Sequence, residues 1–293
     1  MAKIAVALQQ ALKERAISGA AGSATARVLA RGEGWSVSDV ICTSGPDDRR
    51  FEEQHAGVSI GIVVAGTFQY QRQLMTPGSL LLGNPGQSFE CGHDHGSGDR
   101  CIAFKYAPDF LGAPHFRTTR LPPLRASAPL VARACAALIG AADASWEELA
   151  IDVAAQTVRL ANDADLGGTT APLNAVSRVA RAIRVMERHA DADLSLQLLA
   201  QHAGLSAYHF LRTFTRITGV TPHQFTLRAR LRDAALRLAL GDARVIDVAL
   251  DCGFGDVSNF NRAFRAEFGV APRAYRASAS KRAAAIRRCS PTS

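Results

Sequence analysis

The C-terminal half of this 293-residue chain contains an internal repeat. Residues 200–205 align with residues 249–254, and after a one-residue insertion the matching positions lie 50 apart. These later matches pair Phe210, Arg212, Phe214, Gly219, Pro222 and Phe225 with Phe260, Arg262, Phe264, Gly269, Pro272 and Tyr275. A period of this kind is typical of one supersecondary unit used twice. Because Gly204 and Gly253 each stand where a short helix must end, we expect two helix–turn–helix units with a left-handed glycine in each turn.

Residues 176–278 are predicted to be almost entirely helical. Hydrophobic periodicity places helices near 176–189, 194–203, 206–218, 222–240, 245–252 and 256–268. The helix over 222–240 would be about 28 Å long at roughly 1.5 Å per residue. One turn of B-DNA measures ~34 Å, so this helix would hold the second helices of the two units at a spacing suited to successive major-groove segments.

The second helix of each unit has an apolar stripe and a face that lies off it. The stripes are predicted to be core and consist of Phe210, Phe214 and Ile217, then Phe260, Phe264 and Phe268. Off the stripes lie the candidate DNA contacts Tyr208, His209, Leu211, Arg212, Ser258, Asn261, Arg262 and Arg265. Arginine reads guanine bidentately, asparagine reads adenine, and serine contacts bases or phosphate. A solvated helix face is the alternative for each residue, since contact with phosphate alone is common.

Charge is divided unevenly along the chain. Residues 1–175 hold 15 Lys and Arg against 17 Asp and Glu, whereas residues 176–293 hold 19 against 9. The whole positive excess therefore lies in the repeat-containing part, which favours a polyanion as its partner. Arg228, Arg230, Arg232 and Arg237 lie on the predicted long helix, where they either neutralise phosphates or form a solvated face.

About 100 residues, 176–278, resemble the DNA-binding domain of AraC/XylS-type transcription regulators. The resemblance rests on the repeat residues above, on 198–206 with its Gly204-Leu205-Ser206 step, and on Ile246, Val248, Ala249, Gly253 and Phe254. The family reads DNA with the second helix of each unit, which implies contacts by Tyr208, Leu211, Arg212, Val257, Ser258, Asn261 and Arg262. Ser206, at the start of the first of these helices, is a further candidate for DNA contact. Leu211 and Val257 are apolar where the family often has a polar side chain, and a thymine methyl is the contact open to them.

The N-terminal part has a different character. Residues 1–32 are rich in Ala, Gly and Ser and are predicted to be a mobile tail, with a frayed helix over the weakly amphipathic stretch Ile4–Ala16 as the alternative left open. Short apolar runs separated by Gly and Pro turns then predict strands at Trp35–Cys42, Val58–Val64, Phe68–Leu74, Ser79–Leu82 and Cys101–Tyr106. This spacing favours a small β-barrel or sandwich. Residues 76–86 resemble the strand and turn of cupin-like barrels, which implies an effector-binding or dimerisation module.

Two helices are predicted after the barrel. The first carries an apolar stripe from Leu130, and Ser145 with Glu148 forms a capping box at the start of the second. Such a helical hairpin covers the barrel or pairs with another subunit. We therefore divide the chain into a tail (1–32), a cupin-like sensor or dimerisation domain (33–165), a linker (166–175), a DNA-binding domain (176–278) and a disordered basic tail (279–293).

One segment of the predicted barrel combines metal-ligand side chains. Cys91, His93, His95, Asp99 and Cys101 follow one another closely, and in an extended strand 91, 93 and 95 project to one side. Thiolate and imidazole suit Zn²⁺ or copper, so Cys91, His93, His95 and Cys101 are weak metal candidates. A redox-sensing thiol and a structural loop are the alternatives. The metal triad of cupin enzymes is not evident, and no cofactor is predicted; His55 is predicted to be a loop or core histidine.

These features predict an α+β fold, with a small cupin-like β-barrel and a helical hairpin before an all-α domain of two helix–turn–helix units joined by a long helix. The function that fits is a sequence-specific DNA-binding transcription regulator whose N-terminal domain senses an effector or dimerises. The alternatives are a cupin-type metal-binding enzyme with a helical appendage and an oligomerising scaffold. No nucleophile triad, P-loop or dinucleotide fingerprint is present, so we do not expect an enzyme.

The expected partners are double-stranded promoter DNA, a small-molecule effector, a second copy of the chain and RNA polymerase. No apolar run approaches the roughly 20 residues of a membrane span, and the six cysteines are scattered. Both features favour the reducing cytoplasm and no membrane contact. The operator, the effector, the sign of regulation and the oligomeric state stay open.

Overall fold

The computed structural model describes residues 2–94, 96, 98–110, 115–140, 145–163, 171–189, 191–192 and 194–289. Its N-terminal part contains strands, with helices before and after them. These elements are α1 (Ala2–Ser18), β1 (Ala24–Gly32), β2 (Trp35–Cys42), β3 (Phe51–Gln54), β4 (Val58–Gly66), β5 (Phe68–Tyr70), β6 (Gln73–Met75), β7 (Leu80–Gly83), β8 (Ser88–Gly92), β9 (Asp99–Tyr106), β10 (Arg120–Leu121), α2 (Ala128–Leu138) and α3 (Trp146–Asp163).

The strands form two antiparallel sheets that enclose a cavity. One sheet has the order β1-β2-β9-β4-β7-β10 and the other the order β3-β8-β5-β6. Strand β4 is buried along nearly its whole length, because one face packs on α1 and α3 and the other turns to the cavity. Both sheets contribute to the lining of the cavity, through residues such as Leu81 and Cys101 on one side and Phe68 and Phe89 on the other. The predicted α+β architecture is confirmed.

The prediction of a mobile tail over residues 1–32 is wrong. Residues 2–18 form α1, whose Ile4 and Leu8 side chains are buried in the main core of the β domain. Strand β1 pairs antiparallel with β2 along its length. The backbone hydrogen bonds of this pairing order a segment whose small, mostly exposed side chains give little sequence signal.

The continuous strand predicted over Phe68–Leu74 is also wrong, because the chain reverses within it. Strands β5 and β6 are joined by Gln71 and Arg72, which both have positive φ values, 51° and 64°. Two consecutive residues of this kind form the turn that matches the twist of a two-residue hairpin. Asn and Gly are the residues that usually occupy this turn, and neither is present here, so the sequence pattern did not predict it.

The C-terminal part is helical, as predicted. Its helices are α4 (Leu173–Arg188), α5 (Leu196–Ala203), α6 (Ala207–Thr218), α7 (Pro222–Leu240), α8 (Val245–Asp251), α9 (Val257–Phe268) and α10 (Pro272–Cys289). The disordered tail predicted over 279–293 is wrong as far as Cys289, because α10 continues to that residue. Of the predicted linker 166–175, residues 166–170 lie outside the described residues, and 173–175 belong to α4.

The two repeat units have separate aromatic cores with the same plan. In the first, Phe214 contacts Phe225 edge-on at 5.7 Å between ring centroids. In the second, Phe264 contacts Tyr275 edge-on at 5.4 Å. The two pairs occupy equivalent positions of the repeat, and α7 contributes side chains to both cores. The predicted core stripes are therefore confirmed.

The β domain and the helical domain are in contact through buried groups. Helix α2 packs against α7, and Ala132 of α2 belongs to the same apolar cluster as Leu231 and Ala235. The N–H of Gly66, at the end of β4, donates to the Glu187 carboxylate of α4 at 3.2 Å. Among the described helices, none is both long and apolar enough to cross a membrane.

Candidate nucleic-acid interface

The first helix–turn–helix unit consists of α5, a glycine turn and α6. Gly204 ends α5 in the left-handed conformation with a φ of 65°, as predicted. Ser206 then caps α6: its Oγ accepts a hydrogen bond from the His209 N–H and lies 2.9 Å from His209 Nδ1. Because Ser206 and His209 are exposed, this capped helix start can approach a phosphate while it holds α6 in place.

The outward face of α6 carries a preformed pair of side chains. Arg212 Nη1 donates to the Tyr208 hydroxyl at 3.0 Å, and the guanidinium lies 5.6 Å from the centre of the Tyr208 ring. Tyr208 is 63% exposed and Leu211 36%. All five positions predicted for this unit therefore face solvent on one helix and its cap, opposite the buried Phe210 and Phe214.

Helix α9 presents the equivalent face of the second unit. Its N-terminus is capped by Asp256, which accepts from the Asn259 N–H at 2.7 Å. Ser258, Asn261, Arg262 and Arg265 are exposed, whereas Val257 is half-buried. Within the described part of the chain, Arg262 and Arg265 have no hydrogen-bonded partner, so both guanidinium groups are available to an external anion or base.

The arginines of α7 are engaged within the protein: Arg232 is buried, whereas Arg228, Arg230 and Arg237 are half-buried and bind carbonyls or acids of the chain. Arg232 is buried between the two domains, with Glu187 and Glu267 as the nearby acids, and burial lowers its pKa. Arg228 donates to the Pro123 carbonyl at 2.6 Å and pairs with Glu267 at 3.3 Å. Both predicted alternatives, phosphate contact and a solvated face, are wrong for Arg232, because α7 is the element on which the β domain packs.

Sequence reasoning missed Arg120, which joins the β domain to α6, the second helix of the first unit. It lies on β10 and donates from Nη1 to the Ile217 carbonyl at 3.0 Å and from Nη2 to the Thr218 carbonyl at 2.5 Å. Burial lowers the pKa of Arg120 to about 10, so it stays charged at neutral pH. Local sequence could not predict this contact, because the two acceptor carbonyls are 97 and 98 residues away from Arg120 along the chain.

The β domain contains an open-sided cavity of about 660 Å³ that is lined mainly by apolar atoms and has a cluster of buried polar side chains at one end. At that end His93 Nε2 lies 2.7 Å from Asp99 Oδ1, and the Cys101 thiol donates to Asp99 Oδ2 at 3.2 Å. Cys42 lies against the same group and was not among the predicted metal candidates. Of the predicted metal candidates, Cys91, His93 and Cys101 line this cavity, and His95 lies outside the described residues.

The electrostatics of this cluster follow from its burial and its partners. Burial alone would lower the pKa of His93, but hydrogen bonding to Asp99 and Cys42 outweighs it and raises the pKa to about 9. Burial raises the pKa of the Cys101 thiol, and the neighbouring Asp99 carboxylate raises it further. The Cys101 thiol is therefore protonated at neutral pH, which is the opposite of an activated cysteine.

His55 is a core histidine at the edge of the same cavity, in line with its prediction. Its Nε2 lies 2.7 Å from the Tyr70 hydroxyl, and its ring stacks on Phe89 with 4.3 Å between centroids. Burial, with Lys105 as a second cause, lowers the pKa of His55 to about 4. The imidazole is thus neutral in the folded protein over a pH range in which an unfolded chain would protonate it.

We expect stability to fall between about pH 6.5 and pH 4 because of His55. The unfolded chain binds a proton below pH ~6.5 and the folded state does not until about pH 4, so the stabilisation present above pH 6.5 is lost as the pH decreases. The shift corresponds to a loss on the order of 3 kcal/mol. Thermal unfolding of wild type and His55→Gln across this range measures the effect, since all other titrating groups are common to both. Parallel curves for the two proteins would contradict it.

The chain contains two helix–turn–helix units that are joined by the long helix α7, and the second helix of each unit has an exposed face. It is therefore a double helix–turn–helix protein. Residues 199–278 match the family model described as a helix-turn-helix domain. The HTH-type transcriptional activator AarP of Providencia stuartii is 36% identical over 85 residues, covering 29% of this chain and 63% of AarP. The transcriptional activator NphR of a Rhodococcus species is 37% identical over 115 residues, covering 38% of this chain and 33% of NphR.

A solved AraC-type regulator from Chromobacterium violaceum is 25% identical, with 38% of this chain and 98% of that chain covered and a TM-score of 0.35. The chain spans less than two thirds of the length of the curated relatives it matches. Residues 199–278, which contain the repeat, are therefore similar to the helix–turn–helix domains of transcription regulators. The resemblance drawn from the repeat is thereby confirmed.

Proposed function

We propose that the protein is a sequence-specific DNA-binding transcription regulator in which α6 and α9 enter two successive segments of the major groove. The observation that carries this proposal is the equivalence of the two faces: each helix buries its phenylalanines and exposes the residues opposite them. Helix α7 contains 19 residues, about 28 Å at roughly 1.5 Å per residue. A helix of this length suits an arrangement in which α6 and α9 contact DNA about one turn of B-DNA apart.

Each reading face offers a different set of contacts. Arg262 is suited to a guanine and Asn261 to an adenine, while Leu211 and the half-buried Val257 offer apolar surface to a thymine methyl. The Tyr208–Arg212 pair is ordered before DNA arrives, which lowers the entropy lost on binding. Ser206, His209, Ser258 and Arg265 lie at positions from which contacts to phosphate or to base edges support the readers.

The remaining roles follow from the β domain and from the relatives. Its cavity is large enough for a small-molecule effector, and the same domain is the candidate for pairing with a second copy of the chain. AarP and NphR are named as activators, which supports activation at a promoter through contact with RNA polymerase. We place the protein in the cytoplasm with its DNA and assign it no enzymatic activity. The alternative of a cupin-type enzyme is not favoured by the relatives.

Replacing Arg262 with alanine is expected to weaken binding to the preferred operator by about 1–3 kcal/mol, which is roughly 5- to 160-fold. Base preference at one position should relax, because a bidentate contact to that base is lost. The operator is first obtained by in vitro selection with the full chain, and affinity is then measured by fluorescence anisotropy. Arg31→Ala is the matched control, since it removes one exposed arginine from β1, in the domain assigned no DNA contact.

Two outcomes would overturn the proposal. One is the absence of saturable binding to any selected or promoter fragment at low salt. The other is an equal loss of affinity in Arg31→Ala and Arg262→Ala with unchanged base preference, since that result would indicate charge attraction without reading.

A further inference from the structure

We propose that Cys42, His93 and Asp99 form a binding site for one zinc-class divalent metal ion at the polar end of the β-domain cavity. One ligand-type atom from each side chain lies within 4.8 Å of the others, and all three residues are buried. Sulfur, imidazole nitrogen and carboxylate oxygen are the three donor types that Zn²⁺ takes in proteins. The proposal does not depend on the proposed DNA-binding function.

The backbone holds these side chains on rigid elements. Cys42 and Asp99 face each other directly across the β2–β9 ladder, where opposite side chains lie about 5 Å apart at Cβ. His93 follows the last residue of β8 and joins the other two from the second sheet. A site supported by paired strands from both sheets keeps its geometry better than one carried by a single loop.

The three side chains already lie at mutual binding distance. His93 is buried, and its Nε2 lies 2.7 Å from Asp99 Oδ1, with Cys42 hydrogen-bonded to the same imidazole. A divalent ion binds such donor atoms in place of the protons that they share. The Cys101 thiol donates a hydrogen bond to Asp99 Oδ2. It would therefore orient the Asp99 carboxylate without binding the ion itself.

The site also lies where a fourth ligand can reach it. The three residues line the cavity together with Cys91 and the aromatic rings of Phe68 and Phe89. Three protein ligands beside an open space are the arrangement in which zinc keeps a position for water or another small ligand. Cysteine binds the ion as a thiolate and His93 as a neutral imidazole, so proton release accompanies binding.

Titration of the full chain with Co²⁺ and Zn²⁺ tests the proposal. The metal-free protein should take up one equivalent of Co²⁺ with a thiolate-to-cobalt charge-transfer band, and Zn²⁺ should displace the cobalt. Cys42→Ser should lose the band and weaken Zn²⁺ binding at least ~10-fold. Cys135→Ser is the matched control, because it removes another buried free thiol, on α2, and should leave both signals unchanged.

Asp99→Asn is the second variant and keeps the shape of the side chain while it removes the charge. Circular dichroism of each variant without metal identifies any that fail to fold, so loss of the site is distinguished from loss of the domain. The proposal is overturned if wild type shows no thiolate band and retains no Zn²⁺, or if folded Cys42→Ser binds Co²⁺ and Zn²⁺ as wild type does.

Discussion

Phe264→Ala is expected to destabilise the second helix–turn–helix unit by about 3–5 kcal/mol. Phe264 is fully buried and lies at the centre of an aromatic cluster, with ring centroids 4.5 Å from Phe268, 5.4 Å from Tyr275 and 5.5 Å from Phe260. Truncation removes contacts to all three rings and leaves a cavity. Because these rings fix α9 on α10 and α7, the exposed reading face loses its support.

Thermal and urea unfolding followed by far-ultraviolet circular dichroism measure this loss, and anisotropy with the selected operator measures its effect on DNA binding. Phe264→Leu retains most of the volume and should cost clearly less than the alanine variant. Arg262→Ala provides the complementary control, since it should reduce DNA affinity at unchanged stability. An unaltered unfolding midpoint in Phe264→Ala would show that the aromatic cluster does not hold the unit together.

The helical domain could be predicted closely because its signals are local. Each unit fixes its own turn through one glycine and its own core through phenylalanines at helical spacing, as in Gly204 with Phe210 and Phe214. The structure places both glycines at positive φ, 65° for Gly204 and 80° for Gly253. Short-range periodicity therefore sufficed for the helices, the turns and the identity of the outward faces.

The features that sequence reasoning missed depend on distant contacts. Strand β1 is ordered by pairing with β2, and α1 by burial of Ile4 and Leu8, which the Ala-rich composition does not reveal. Cys42 joins His93 and Asp99 only because β2 lies beside β9. Arg232 looks like a surface arginine in a helical pattern, yet it is buried because α2 packs on α7.

The contact of Arg120 with α6 is the clearest physical link between the two domains. The last carbonyls of a helix have no partners within the helix, and a cation at this end also interacts favourably with the helix dipole. Arg120 supplies two N–H donors to two such carbonyls. Pro122 of the β domain also lies close to Gly219, the residue that ends α6. A Cβ atom on Gly219 would come within 2.8 Å of the proline ring. The C-terminal end of α6 is therefore held against the β domain.

Arg120→Ala is accordingly expected to weaken the seating of α6 on the β domain by roughly 3 kcal/mol or more, because two hydrogen bonds from a charged donor are lost and two buried carbonyls are left without them. Hydrogen exchange measured by mass spectrometry should show faster exchange in the last turn of α6. The equivalent turn of α9 serves as the internal reference, since Arg120 does not contact it. Arg120→Lys should show a partial effect, because an ammonium group does not reproduce the two-pronged geometry of the guanidinium. Equal acceleration in α6 and α9, or none in either, would contradict a local role for this arginine. Acceleration confined to α6 would identify Arg120 as the residue through which the β domain holds the first reading helix.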